Sequence, residues 1–341
     1  MGALPRRRAR LVLDPIQAAE AKLAQGRTDE AVALLAGAGD AGNAEALAEL
    51  AIWHLNGNHI PRDLAAARAL LRRAATIGHV DAALIEVALT ANGSGAAPDW
   101  PGALALLRRA AANDPLAAQH LELLGKMALT ADGAPASLPV PITLHPSPRI
   151  QRLPDFCTPI ECAYIASVAA PALQPATVFD PASGRMIAHP IRASDNAPIG
   201  PTQETLVVQA INRRIAAATD TVFAQGEPLT VLRYGPGQQY RPHLDTLPGP
   251  GNQRIRTAIL YINHNFTGGE TEFPLLGLKI APRMGDLLVF DNVDAAGAPE
   301  PRSRHAGLPI IGGTKWIATR WIRAEPTSAW ALSAEARAAS A

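Results

Sequence analysis

The stretch 229–245, LTVLRYGPGQQYRPHLD, alternates apolar and polar residues up to a Gly-Pro turn and ends with a histidine and an aspartate two positions apart. Alternation with a period of two predicts a β-strand that buries one face. Side chains two positions apart on a strand point to the same side, so His243 and Asp245 are expected to share one face. The stretch therefore predicts a sheet that carries two candidate metal ligands in its interior.

Three further segments alternate in the same way and are bounded by Gly, Pro or Asn: 254–263 (RIRTAILYIN), 285–291 (GDLLVFD) and 315–323 (KWIATRWIR). Several short strands separated by turns predict an antiparallel barrel or jelly roll. Apolar residues with helical spacing at 160–169 and 205–219 predict two helices that accompany this sheet.

The first part of the chain repeats itself with a period of 36 residues, since Gly57 and Asp63 recur as Gly93 and Asp99. Within each unit, small and apolar residues at spacings of three and four predict two helices packed along one stripe. Such hairpins bury their apolar faces only by stacking on one another. Residues 15–127 therefore predict a right-handed α-solenoid.

A proline-rich segment separates the two patterns, with five prolines between Pro135 and Pro148, and it cannot continue a helix. The predicted fold class is α+β and multidomain, with an α-solenoid followed by a jelly-roll domain. The predicted domains are helical repeats at 1–127, a proline-rich linker at 128–146, the jelly-roll domain at 147–325 and an alanine-rich tail at 326–341.

The composition is that of a soluble globular protein, with 48% hydrophobic and 18% charged residues in 341 positions. A formal net charge of +1 provides no long-range field for nucleic acid or an anionic membrane surface, so neither partner is expected. The N-terminal residues do not match a signal peptide and no apolar run approaches ~20 residues, so a cytoplasmic location is expected. The two cysteines, Cys157 and Cys162, are too few for a disulfide framework and are interpreted as packing residues.

A third candidate ligand, His305, follows a loop and begins another strand pattern, so it can complete a metal site with His243 and Asp245. Two imidazoles and one carboxylate are the ligands of non-haem Fe(II) oxygenases, which keep the remaining coordination positions for a cosubstrate and dioxygen. A zinc hydrolase would accept the same ligands. The three residues alone do not decide between these chemistries.

Lys315 bears on that choice. Alternation along 315–323 turns its ammonium toward the interior, where an unpaired charge is costly. A bound dicarboxylate such as 2-oxoglutarate would satisfy it, with one end chelating iron and the distal carboxylate pairing with the lysine.

A second His-x-Asp triplet, His79-Val80-Asp81, lies at a junction between two predicted helices. No strand is present there to direct both side chains to one side. His79 and Asp81 are therefore interpreted as solvated turn residues rather than ligands.

Six blocks in the second half, VLRYGPGQQYRPHLD, NQRIRTAILYIN, GGETEFP, GDLLVF, RHAG and TKWIATRWIR, occur in the order found in prolyl 4-hydroxylase-like 2-oxoglutarate- and Fe(II)-dependent dioxygenases. The resemblance spans about residues 147–325 and implies a double-stranded β-helix. In the first half, the pattern LNGNHIPRDLAAARALLRRAATIGH resembles the Sel-like class of tetratricopeptide-related repeats, which implies a protein-interaction scaffold.

The resemblance also implies roles for individual residues. The implied iron ligands are His243, Asp245 and His305. The implied contacts of 2-oxoglutarate are Lys315, Tyr261, Thr257 and Tyr234. The implied substrate positions are Tyr240, Arg254, Trp321 and Arg323. Arg323 stands where peptide-prolyl hydroxylases can carry a histidine, and this difference leaves a prolyl substrate open.

The implied activity is hydroxylation of a C–H bond, with Fe(II), 2-oxoglutarate and dioxygen as cofactor and cosubstrates and ascorbate as reductant. The expected substrate is peptidyl, with proline as one candidate residue, and the helical repeats are expected to recruit the protein that carries it. The alternative is a repeat-based adaptor whose barrel is a non-catalytic binding or sensing module.

Overall fold

The computed structural model describes residues 14–180, 185–188, 191–249 and 251–332. The chain divides into two compact units between Leu121 and Glu122. Within the described ranges, no helix is both long enough and apolar enough to cross a membrane.

The first unit consists of helices that pack on their neighbours in sequence as hairpins. Their bounds are α1 Pro15–Leu23, α2 Thr28–Asp40, α3 Ala44–Asn56, α4 Leu64–Ile77, α5 Val80–Asn92, α6 Trp100–Ala111 and α7 Pro115–Lys126, of which the last extends into the second unit.

The 36-residue sequence period has a physical cause in helix capping. Asp63 and Asp99 each accept a hydrogen bond from a backbone N–H in the first turn of α4 and α6, respectively. Gly57 and Gly93 end α3 and α5 in the left-handed conformation, with φ of 67° and 76°. The repeated residues are thus those that begin and end the helices.

His79 is not the solvated turn residue that the sequence predicted. It is the N-cap of α5, where its Nδ1 accepts from the Ala82 backbone N–H at 3.2 Å and its Nε2 lies 3.2 Å from Glu45 Oε2. Asp81 is exposed in the first turn of the helix. A capping role therefore explains the histidine of this triplet.

The second unit contains two complete α-helices and sixteen strands among its described residues. The helices are α8 Pro159–Ala169 and α9 Leu206–Ala218. The strands are β1 Ile142–Pro146, β2 Arg149–Leu153, β3 Gln174–Pro175, β4 Thr177–Asp180, β5 Arg185–Ala188, β6 Asp195–Pro198, β7 Thr230–Tyr234, β8 Tyr240–His243, β9 Arg254–Tyr261, β10 Phe266–Gly268, β11 Thr271–Phe273, β12 Leu278–Ile280, β13 Leu287–Asp291, β14 His305–Gly307, β15 Ile310–Gly313 and β16 Lys315–Arg323.

The strands form a large sheet in the order β1-β2-β13-β9-β16-β7-β6-β3 and a smaller sheet in the order β12-β11-β14-β8, with two further two-stranded pairs. The pairings between these strands are antiparallel. Apolar side chains from both sheets pack into one core, with Ile259, Tyr261 and Ile317 from the large sheet and Phe273 from the smaller one. The predicted fold class, a helical-repeat region followed by a jelly roll, is confirmed.

The proline-rich segment does not end where the linker was predicted to end. Residues Ile142–Pro146 form β1, which pairs with β2 at the edge of the large sheet, so the last five residues of the predicted linker belong to the sheet. A proline is tolerated at such an edge because no further strand requires its missing N–H. The predicted tail lies partly outside the described residues, which end at 332.

Candidate metal centre

The three candidate ligands meet because two short strands pair in register. His243 ends β8 and lies opposite His305, which begins β14, and Asp245 follows β8 by two residues. Asp245 Oδ1 is 3.5 Å from His243 Nε2, and its Oδ2 is 3.6 Å from His305 Nε2. One ligand atom from each residue lies within 4.8 Å of the others, and all three side chains are buried.

The orientation of both imidazoles is fixed by backbone carbonyls. His243 Nδ1 lies 2.8 Å from the carbonyl oxygen of Arg241, and His305 Nδ1 lies 3.1 Å from that of Ser303. A carbonyl oxygen can only accept a hydrogen bond, so each Nδ1 carries the proton and each Nε2 is left with a lone pair. Both lone pairs lie next to the carboxylate.

Aromatic rings support these imidazoles from the sides. Tyr240 stacks on His243 with ring centroids 3.5 Å apart, and Phe290 packs edge-on against His305 at 4.6 Å. These contacts restrict the movement of the histidines and exclude water from them.

The electrostatics of the site favour the protonation states that bind a cation. Burial lowers the pKa of His305 to about 4, against the opposing effect of Asp245. Burial alone would raise the pKa of Asp245, but His305, His243 and the Thr257 hydroxyl together hold it well below its usual value. At neutral pH the cluster therefore offers a neutral imidazole and an ionised carboxylate, which suits a divalent first-row metal such as Fe(II).

Thr257 has a different partner from the one predicted. Its hydroxyl donates to Asp245 Oδ2 at 2.6 Å and accepts from Asn292 Nδ2 at 2.9 Å. The hydroxyl proton is thus committed to the candidate metal ligand and is not available to the distal carboxylate of 2-oxoglutarate.

Lys315 lies inside the sheet unit, as alternation predicted, and is only 2% exposed. Its ammonium donates to the Gly269 carbonyl at 2.6 Å and lies 5.6 Å and 6.0 Å from the ring centroids of Tyr261 and Tyr234. Burial lowers the pKa of Lys315 to about 8, although Glu270 raises it in part. The predicted cosubstrate contacts Lys315, Tyr261 and Tyr234 are therefore brought together.

A single cavity joins the metal cluster to the lysine. One part of the cavity is lined by His243, Asp245 and His305, and another part is lined by Lys315. Lys315, Ile317, Thr319 and Trp321 all line it, because alternate residues of β16 face the same way.

The predicted substrate residues form two groups. Tyr240 and Trp321 line the cavity itself. Arg254 stacks on Trp321, with its guanidinium carbon 4.3 Å from the indole centroid, and donates two hydrogen bonds of 2.7 Å to Glu227. Arg323 also donates to Glu227 and, through Nη1, to the Asn252 carbonyl at 2.6 Å. The two arginines therefore share one carboxylate, and Arg254 also packs on Trp321.

Four residues that belong to this arrangement were missed by sequence reasoning. Thr271 and Thr319 line the cavity, and Thr271 Oγ1 lies 2.8 Å from the Tyr261 hydroxyl. Asn292 and Glu227 lie outside its lining and act on residues of the site through hydrogen bonds. Alternation in GGETEF and KWIATRW could have indicated the threonines, whereas Asn292 and Glu227 follow no pattern visible in the sequence.

Comparison with known proteins gives the following matches. The sequence profile of the 2OG-Fe(II) oxygenase superfamily matches residues 229–323, which contain the metal cluster and the lysine. Prolyl 4-hydroxylase 1 of Arabidopsis thaliana is 35% identical over 201 residues, which cover 53% of this chain and 71% of the plant protein.

Two solved structures are also similar to parts of the chain. The viral collagen prolyl hydroxylase of Paramecium bursaria Chlorella virus-1, as its 2OG complex, is 28% identical with a TM-score of 0.43, and the match covers 52% of this chain and 96% of the viral one. A Sel1 repeat protein from Oxalobacter formigenes is 24% identical with a TM-score of 0.28, and the match covers 32% of this chain and 85% of that chain.

Proposed function

The chain belongs to the prolyl 4-hydroxylase-like branch of the 2OG-Fe(II) oxygenase superfamily, and we propose that it hydroxylates a peptidyl substrate at the cavity lined by His243, Asp245 and His305. It is a 2-oxoglutarate-dependent hydroxylase that uses Fe(II) and dioxygen, with ascorbate as the reductant typical of such enzymes.

One observation carries the residue assignment. The cluster of two imidazoles and a carboxylate shares a cavity with a buried lysine, whose ammonium donates to one neutral acceptor among the described residues. A zinc hydrolase needs no cation at that place, whereas a dicarboxylate cosubstrate does. The combination favours the oxygenase over the hydrolase that the three ligands alone would permit.

The chain's own residues hold and orient the reactants. His243, Asp245 and His305 are the proposed Fe(II) ligands, and Lys315 with Tyr261 and Tyr234 is the proposed site for the distal end of 2-oxoglutarate. Bound Fe(II) with 2-oxoglutarate and dioxygen supplies the oxidation, in which the cosubstrate becomes succinate and carbon dioxide while a substrate C–H bond becomes C–OH. The surrounding apolar residues, including Ile259, Ile310 and Ile317, exclude water from this chemistry.

The substrate is proposed to enter beside Tyr240 and Trp321, which line the same cavity as the metal cluster. The Arabidopsis relative is named a prolyl 4-hydroxylase, which supports a peptidyl substrate. Arg254 is proposed to act on it through Trp321, on which it stacks, and Arg323 through Glu227, which engages both guanidiniums. Proline remains one candidate for the hydroxylated residue.

The helical repeats are proposed to recruit the protein that carries the modified residue. A second binding surface on the same chain raises the effective concentration of a polypeptide target, which a free metabolite would not need. A non-catalytic adaptor is disfavoured because an adaptor has no need for a complete ligand set and a buried lysine in one cavity.

The test is turnover by the full chain. Purified protein supplied with Fe(II), ascorbate and 2-oxoglutarate should form succinate, slowly without a substrate and faster with one. Mass spectrometry of a proteome incubated with the enzyme should find peptides that gain one oxygen. Tightly bound stoichiometric zinc, together with no succinate after reconstitution with iron, would overturn the proposal in favour of a hydrolase or structural site.

A further inference from the structure

The three candidate ligands differ in what holds them. Each histidine is fixed by a backbone carbonyl at its Nδ1, whereas Asp245 accepts a hydrogen bond from the side chain of Thr257. The terminal torsion of an aspartate is broad and roughly two-fold, so an untethered carboxylate would rotate freely between the two imidazoles.

The direction of the hydrogen bonds at Asp245 is determined by their chemistry. An ionised carboxylate only accepts, so the Thr257 hydroxyl must donate its proton to Oδ2. The same hydroxyl oxygen is then left with lone pairs, and Asn292 Nδ2 donates to it at 2.9 Å. The hydrogen bonds from Asn292 to Thr257 and from Thr257 to Asp245 therefore run in one direction, from the amide to the carboxylate.

Packing alone does not explain Asn292. The residue is fully buried, and its side-chain oxygen has no hydrogen-bond partner among the described residues. Its backbone is placed by the sheet, with its N–H donating to the Ile255 carbonyl at 2.8 Å. A buried amide oxygen without a partner costs free energy that an apolar side chain of similar size would avoid. The amide hydrogen bond to Thr257 is the interaction that the apolar residue could not make.

We propose that Thr257 and Asn292 are positioning residues for the metal centre, which fix the rotation of the Asp245 carboxylate by tying Oδ2 and leave Oδ1 for the metal. This inference rests on the proposed function, because it assumes that the cluster binds Fe(II). Neither residue lines the cavity, so neither is a catalytic residue in the sense of touching substrate or cosubstrate. Asn292 acts only through Thr257.

The test measures Fe(II) affinity anaerobically by calorimetry on the full chain, so it does not depend on turnover. Thr257→Val removes the hydroxyl with little change of shape and should weaken Fe(II) binding about 10- to 100-fold, the usual effect of losing a group that orients a metal ligand. Thr257→Ser keeps the hydroxyl and should restore most of the affinity. Asn292→Leu should give a smaller loss than Thr257→Val.

The double variant decides whether Asn292 acts on Asp245 through Thr257. In the Thr257→Val background, Asn292→Leu should have no further effect on Fe(II) affinity, because the amide has nothing left to orient. Melting of the metal-free proteins separates lost affinity from lost folding. If Thr257→Val fails to fold, the Fe(II) affinity of Thr257→Ser is compared with that of the double variant Thr257→Ser, Asn292→Leu.

The outcomes are distinct. Wild-type affinity in a folded Thr257→Val protein would overturn the inference, and so would an Asn292→Leu change of equal size in the presence and absence of the hydroxyl. A wild-type protein that binds no Fe(II) would instead overturn the proposed function, and the inference with it.

Discussion

At the scale of single residues, the site depends on which nitrogen of each histidine carries a proton. His243 and His305 donate from Nδ1 to carbonyl oxygens and keep the Nε2 lone pairs for a metal. His79 uses its Nδ1 in the opposite way, as the acceptor that caps α5. The same residue type in the same His-x-Asp spacing thus serves two purposes, at the end of a strand in one triplet and at the start of a helix in the other.

The first prediction compares these two triplets. His243→Ala or Asp245→Ala should abolish stoichiometric Fe(II) binding and 2-oxoglutarate turnover, because each change removes a proposed ligand. His79→Ala should leave both unchanged and lower the melting temperature slightly, since losing an N-cap costs about 0.5–2 kcal/mol. Metal analysis, succinate formation and thermal melting measure these effects. Loss of iron from the His79 variant would show that the metal site has been placed wrongly.

The second prediction concerns the proton of Lys315. Its pKa of about 8 means that the free protein carries a charged lysine below pH 8 and progressively loses that charge above it. Binding of a carboxylate requires the charged form, so the dissociation constant of 2-oxoglutarate should be flat below pH 8 and rise about tenfold for each pH unit above it. Calorimetric titrations across this range, with the metal in place, would measure the slope.

Lys315→Gln is the control for this pH effect. The variant should bind 2-oxoglutarate weakly at every pH. Its dissociation constant should not rise above pH 8, because the lysine that titrates there is absent. Equal slopes in the variant and the wild type would assign the pH dependence to another group and remove the support for Lys315 as the partner of the cosubstrate.

At the scale of elements, the structure explains why strand alternation predicted faces correctly but not partners. Thr257 and Tyr261 lie on the same face of β9, yet four residues of a strand span roughly 13 Å. Tyr261 consequently lies near Lys315, whereas Thr257 reaches Asp245. A period of two identifies the side to which a residue points, but its position along the strand decides which side chains it contacts.

Other features of the elements have clear signals in the sequence. The repeated Asp63 and Asp99 caps determine where α4 and α6 begin, and the glycines after α3 and α5 determine where those helices end. Glu227 could not be predicted, because it lies just before β7 while its partners Arg254 and Arg323 lie on β9 and β16. Only the pairing of those strands brings the three side chains together.

The third prediction tests the turn that places Lys315. Gly269 has φ of +70°, and a Cβ at this position would lie 2.4 Å from Ile310 Cδ1 and 3.1 Å from Lys315 Cδ. Gly269→Ala should therefore displace the lysine and weaken 2-oxoglutarate binding, in addition to a backbone cost of about 1–2 kcal/mol. Calorimetry and thermal melting measure the two effects separately.

Gly277 offers a matched control for this substitution. It has a similar φ of +61°, but a Cβ there would meet no atom within 4 Å. Gly277→Ala should give a comparable fall in melting temperature with unchanged affinity for 2-oxoglutarate. If both variants lost the same affinity, backbone strain rather than the contact with Lys315 would be the cause.

At the scale of the whole molecule, the chain contains a helical unit and a second unit that holds the candidate metal centre and its cavity. The residues proposed for iron and 2-oxoglutarate all belong to the second unit, so the chemistry itself does not require the repeats. The proposed recruitment role therefore predicts a selective effect, in which removing the repeats changes the use of a protein target but not the reaction at the metal.

The fourth prediction follows from that separation. Deleting residues 1–127 should raise the KM for the protein target, because the target loses the effective concentration that a second binding surface provides. Uncoupled 2-oxoglutarate turnover and hydroxylation of a short peptide should stay nearly unchanged. Thermal melting of the truncated protein must first establish that it folds. In an independent experiment, isolated repeats are added to the full chain, where they should compete for the target and inhibit its hydroxylation. A folded truncated protein that hydroxylates its full-length target as efficiently as the intact chain, with no inhibition by added repeats, would rule out recruitment and leave the repeats to serve a different partner or the stability of the fold.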